Sequence, residues 1–133
     1  MVLYVDGGCS GNDTKDMAAR RMVMVVTDEV GHVLCERSGI GGSNNIAELE
    51  AVLDALNWCA QHGQRAVEIR TDSRNNLSWV NGRKVGKAIN DRGRVLALKA
   101  TIQDLRSRVV FDLVWVPREE NRAGHYIEGA YGL

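Results

Sequence analysis

Three acids stand where a folded chain could bring them together. Asp6 closes the β-forming run Leu3-Tyr4-Val5 and is followed by Gly7 and Gly8, so its carboxylate sits where backbone can approach another element closely. Asp72 ends a second such run, Ala66 to Thr71, and Glu48 falls in the first turn of a helical pattern. Acids at three element ends suit one shared site for a divalent cation, which wants hard oxygen ligands, and for a phosphate drawn in by that cation. The competing role is structural, because Asn45 with Glu48 three residues later fits a capping box.

The elements that must position these acids follow from periodicity. Leu3 to Gly8, Arg21 to Thr27 and His32 to Ser38 read as a meander of three strands, with loop chemistry from Cys9 to Asp13 and a turn at Asp28 to Gly31. From Asn45 to Gln61 the positions Ile46, Leu49, Val52, Leu53, Leu56 and Cys59 recur at helical spacing, and Gly63 stops the run. A strand over Ala66 to Thr71 precedes a short helix from Ser73 to Val80, and Val95, Leu98, Ile102 and Leu105 make one face of a further helix. Val109 to Val116 is the last strand, apolar enough to suit a covered position, and the tail from Asn121 can begin a final helix. The sum is an α/β domain with one mixed, five-stranded sheet. Asp6 and Asp72 fall on neighbouring strands if the fourth strand pairs parallel to the first.

Bulk composition narrows the function classes. At 133 residues the chain is the size of a single domain, taken as 1–133. Lys plus Arg equals Asp plus Glu at 17 each, so net charge gives no argument for nucleic acid and only local patches can. Cys9, Cys35 and Cys59 are odd in number and lack a CxxC pattern, which reads as reduced thiols in a cytoplasmic protein. No apolar run approaches membrane-spanning length, so no membrane partner is expected, and the working expectation is a monomer.

Taken in order, four motifs resemble type 1 ribonuclease H over nearly the whole chain. They are Tyr4-Val5-Asp6-Gly7-Gly8-Cys9-Ser10-Gly11-Asn12, Ser43-Asn44-Asn45-Ile46-Ala47-Glu48-Leu49, Thr71-Asp72-Ser73 and Asn121-Arg122-Ala123-Gly124-His125. The resemblance implies an RNase H-like fold and endonucleolytic hydrolysis of the RNA strand of an RNA/DNA hybrid, leaving 5′-phosphates. It also implies two Mg²⁺ or Mn²⁺ ions about 4 Å apart, supplying a nucleophilic water and charge relief on the phosphate. Asp6 is carried over as the bridging ligand, with Glu48 and Asp72 on the ion nearer the leaving group. In the fourth motif the family's acid is replaced by His125, and neutral imidazole suits Mn²⁺ better than Mg²⁺. The loop Val116 to Glu120 is short and holds no histidine, so the family's product-release residue has no candidate.

The same resemblance places Ser10, Gly11, Asn12, Asn44 and Asn45 against sugar edges in the minor groove, where the 2′-hydroxyl separates RNA from DNA. Arg74, Arg83, Lys84 and Lys87 are the candidate phosphate contacts, the last three in a basic loop that can equally be a solvated charge run. A catalytically silent hybrid-binding module and another nuclease of the same superfamily are the alternatives.

Overall fold

The alternation of apolar residues in the first three runs becomes an antiparallel meander: β1 (Val2–Ser10), β2 (Arg21–Thr27) and β3 (Val33–Ile40). The computed structural model describes residues 1–11 and 17–133, so Asn12 lies outside the described residues. A helix, α1 (Asn44–Gln61), crosses over to β4 (Ala66–Thr71), then α2 (Arg74–Val80) and α3 (Arg92–Asp104) lead to β5 (Val110–Trp115), and α4 (Arg122–Tyr131) ends the chain. The sheet order is β3-β2-β1-β4-β5, antiparallel among the first three and parallel thereafter. Asp6 and Asp72 therefore do leave adjacent parallel strands, as the crossover expectation required.

Side-chain parity divides the sheet into two covered faces. Leu3, Val5, Met22, Met24 and Val26 meet Ile46, Leu49, Val52 and Leu56 of α1 in the main core, while Tyr4, Val23 and Val25 meet Ala123 and Ile127 of α4 on the other face. Leu49 and Leu56 are fully buried, each contributing about 2 kcal/mol by removal of apolar surface from water. The cores hold α1 and α4 against opposite faces of β1, the strand that carries Asp6. Among the described residues no helix is long and apolar enough to cross a membrane.

Three local readings change. β1 runs on through Cys9 and Ser10, which pair with Met22 and Arg21, because the edge of β2 offers ladder partners that composition alone does not reveal. β5 is an edge strand whose burial alternates, with Val110 72% exposed, so its apolar content does not signal a covered position. The cap of α1 is Ser43, whose hydroxyl accepts from the Ile46 N–H, and not Asn45. That moves Glu48 out of the first turn and removes its capping role.

One contact sets how near Glu48 comes to Asp6. A Cβ added at Gly7 would lie 2.5 Å from the Ala47 carbonyl oxygen and from the Glu48 nitrogen, so only a glycine lets β1 lie this close to α1. Both sides of the clash are backbone and neither can rotate away. Gly7→Ala is expected to destabilise the fold by about 3 kcal/mol, as overpacking in a rigid core does. Urea denaturation checks this, and a loss below about 0.5 kcal/mol, the usual scatter for surface changes, would count against the packing argument.

Candidate active site

The three acids converge. One ligand oxygen each from Asp6, Glu48 and Asp72 lies within 4.8 Å of the others. Asp6 comes from β1, Glu48 from α1, and Asp72 from the residue after β4, where the Ser73 hydroxyl caps α2 by accepting from the Asn76 N–H. They line an open cavity of about 330 Å³ together with Gly7, Gly8, Asn44 and Arg118.

The electrostatics of this trio are unfavourable without a cation. Burial, then the neighbouring Asp72 charge, push the Asp6 carboxyl up to about 7. Burial and the charges of Asp6 and Asp72 hold Glu48 well above the ordinary carboxylate range, and burial raises Asp72 against the pull of Asn121 and Arg118. Among the described residues, Glu48 Oε2 is buried with no hydrogen-bond partner. Three clustered carboxyl groups and an orphaned oxygen fit a hard divalent ion, which would replace mutual repulsion by ligation.

Asn121 organises the site from behind. Its side-chain N–H groups donate to the Val5 carbonyl at 2.9 Å and to Asp72 Oδ2 at 3.3 Å, while its Oδ1 accepts from the Ala123 and Gly124 N–H groups as the cap of α4. One fully buried amide thus joins β1, the end of β4 and α4. Asn121→Ala is expected to cost roughly 3 kcal/mol, since it removes a helix cap and leaves buried backbone groups unpaired. Thermal unfolding measures this, and a change within about 0.5 kcal/mol would refute the bracing role.

The structure does not bring His125 into the trio. The α4 position that faces Asp6 is Gly124, where an added Cβ would come within 3.2 Å of Asp6 Oδ2. His125 is one residue further round the helix, about 100° away. Its ring is exposed and lines an adjoining cleft with Arg118, Glu119 and Glu128.

A residue that motif reading missed is Arg118. It lines the acid cavity, its charge draws the Asp6 and Asp72 carboxyls down, and its guanidinium donates to the Leu133 carbonyl at 3.3 Å. The available signal was a lone arginine directly after Pro117, in the loop between the last strand and the Asn121 motif.

Of the expected substrate contacts, Asn44 is exposed and lines the cavity, and Asn45 is half-buried beside it. Ser10 and Gly11 are exposed at the end of β1. Arg83, Lys84 and Lys87 are exposed in the loop after α2, anchored by buried Val85 between them. The Arg74 guanidinium stacks 4.1 Å from the Trp115 ring centroid, which holds it on the surface beside α2.

A family model described as reverse transcriptase-like matches residues 5–127 of the chain. The chain belongs to this RNase H-like family. LC11-RNase H1, isolated from compost by a metagenomic approach and solved in complex with an RNA/DNA hybrid, is 30% identical to this RNase H-like chain; the match covers 93% of this chain and 91% of that one at a TM-score of 0.69. Two further structures share the fold at 21% identity. An N-terminal RNase H domain from Mycobacterium tuberculosis aligns over 95% of both chains at a TM-score of 0.68, and an RNase H1 from Halobacterium salinarum over 94% and 91% at 0.68. The five-stranded mixed sheet is the RNase H fold.

Proposed function

We propose that this chain is an endoribonuclease that hydrolyses the RNA strand of RNA/DNA hybrids with the aid of divalent cations. The observation that carries the reading is the convergence of three carboxyl groups from separate elements within 4.8 Å. Likeness to a protein solved with a hybrid supports the choice of substrate. Bound Mg²⁺ or Mn²⁺ would polarise the scissile phosphate and lower the pKa of an attacking water. Asp6, Glu48 and Asp72 would hold the cation, and the Asn121 side-chain N–H fixes the Asp72 carboxyl by donating to its Oδ2. Arg118 meets phosphate charge at the rim, exposed Asn44 and half-buried Asn45 face the minor groove, and Arg83, Lys84 and Lys87 track the backbone further out.

A second ion completes the two-cation form of this reaction, with His125 as its candidate ligand. That assignment rests on the order of the fourth motif. Comparing Mg²⁺ and Mn²⁺ activity in the wild type and in His125→Asp tests it: the Mg²⁺ to Mn²⁺ activity ratio is expected to rise in the variant, and an unchanged ratio removes His125 from the site.

The deciding assay sets labelled RNA/DNA, double-stranded RNA and double-stranded DNA side by side with each metal. Metal-dependent cutting of the RNA strand in the hybrid alone is the expected result. Hybrid binding without cleavage in either metal would instead select a silent binding module, which the exposure of His125 outside the acid trio favours as the second reading. Cutting of duplex DNA would select another nuclease chemistry on the same fold.

A further inference from the structure

The loop between α2 and α3 carries its basic residues on a backbone that is held at several points. At the end of α2, Gly82 takes a φ of +108°, and the Gly82 and Arg83 N–H groups donate back to the Trp79 and Ser78 carbonyls at 3.2 and 2.9 Å. The Arg83 carbonyl accepts from Lys99 Nζ of α3 at 2.9 Å, so the N–H and the carbonyl of Arg83 are both held. Two residues on, Val85 is 3% exposed in the main core, and its carbonyl accepts from Arg92 Nε at 3.3 Å. Lys84 and Lys87 flank that anchor and are exposed.

The cations of this region divide by what they reach. Arg92 and Lys99 donate to main-chain carbonyls of the loop, and neither has an acid partner among the described residues. Arg94 pairs with Glu50 at 3.3 Å. The side chains of Arg83, Lys84 and Lys87 are exposed and have no hydrogen-bond or ion-pair partner among the described residues. A charged group that meets a neutral carbonyl near the surface adds little to stability, and its effect is to restrain the chain it holds. Phosphates recur at regular intervals along a nucleic acid, and an array of cations already held in shape need not be ordered on binding. We infer that Lys99, supported by Arg92, is a positioning residue for substrate binding, which holds the loop so that Arg83, Lys84 and Lys87 form a preset array of phosphate contacts. This rests on the proposed reading as a hybrid nuclease.

Steady-state cleavage of an RNA/DNA hybrid over a series of KCl concentrations separates holding from direct contact. Lys99→Met keeps the length of the side chain and removes its N–H groups. It is expected to raise KM for the hybrid about fivefold, the net worth of one hydrogen bond, with kcat within about twofold. The slope of log KM against log salt should stay that of the wild type, and Lys99→Arg should restore KM. Lys84→Ala, which removes a phosphate contact itself, should lower that slope by about 0.9. A KM for Lys99→Met within about twofold of wild type overturns the inference. A slope lowered by about 0.9 in Lys99→Met also overturns it, by making Lys99 a phosphate contact in its own right. If Lys99→Met melts too early to assay, Arg92→Met carries the same expectations at the Val85 carbonyl. Absence of hybrid cleavage by the wild type is a different failure, removing the nuclease reading and this inference with it.

Discussion

Asp6→Asn is expected to abolish metal-dependent cleavage while making the metal-free protein more stable. Asp6 comes within 4.8 Å of both Glu48 on α1 and Asp72 beyond β4, and it faces Gly124 on α4. An amide keeps its size and loses the anionic oxygen that ligates a cation. A loss of at least about 10³-fold in kcat is the expected scale, on the order of 4 kcal/mol in the barrier. The effect on stability has the opposite sign, because burial and Asp72 already disfavour the charged form of this carboxyl. Urea denaturation in EDTA at pH 8 should therefore show a gain of a few kcal/mol. Activity retained in either metal would remove the trio as the catalytic centre, and a loss of stability in EDTA would remove the claim that the acids repel one another. Such opposition between stability and activity is expected where charges are gathered for ligation.

Stability without metal should fall as pH rises from about 4 to about 7, and divalent cations should reverse the fall. Asp6 ionises at 3.8 when free of these surroundings and at about 7 in the folded chain. Between those values the unfolded chain binds fewer protons than the folded one, so the free energy of unfolding decreases with pH and levels off above 7. The shift corresponds to up to about 4 kcal/mol, at 1.36 kcal/mol for each unit. Glu48 and Asp72 are raised as well and act in the same direction. A cation that binds only the folded state restores about 4 kcal/mol at a thousand times its dissociation constant. Because ligation needs ionised carboxylates, its affinity should weaken as pH drops below 7, with proton release on binding. Thermal melts from pH 4 to 9, with EDTA and with Mn²⁺, test this. Melting temperatures in EDTA that rise through that window would contradict it.

Much of this arrangement was legible in the chain because hydrophobic period is a strong local signal. The strand limits at Arg21 to Thr27 and Ala66 to Thr71 agree with the folded elements, and the strand-helix-strand order implied the parallel pair that brings Asp6 and Asp72 together. What escaped depends on three-dimensional competition. Ser43 and Asn45 are both acceptable caps, and backbone geometry at Ser43 decided between them. The exposure of Val110 goes with β5 having no neighbour beyond it among the described residues, which composition cannot encode. That Gly124 is the α4 residue turned toward Asp6 follows from helix phase, to which motif order, the basis for proposing His125 as ligand of a second ion, is blind. Arg118 belongs to no motif and gains significance only from what folds beside it.

The distance between two of the acids is a matter of main-chain thickness. Where β1 touches α1, no side chain on either element intervenes between Gly7 and the Ala47 to Glu48 peptide. Substitutions elsewhere in the core can therefore accumulate without altering how far apart those carboxyl groups stand. A lineage with this contact would be free to change nearly all its packing residues and keep its chemistry, provided one hydrogen atom on one strand is never exchanged for a carbon.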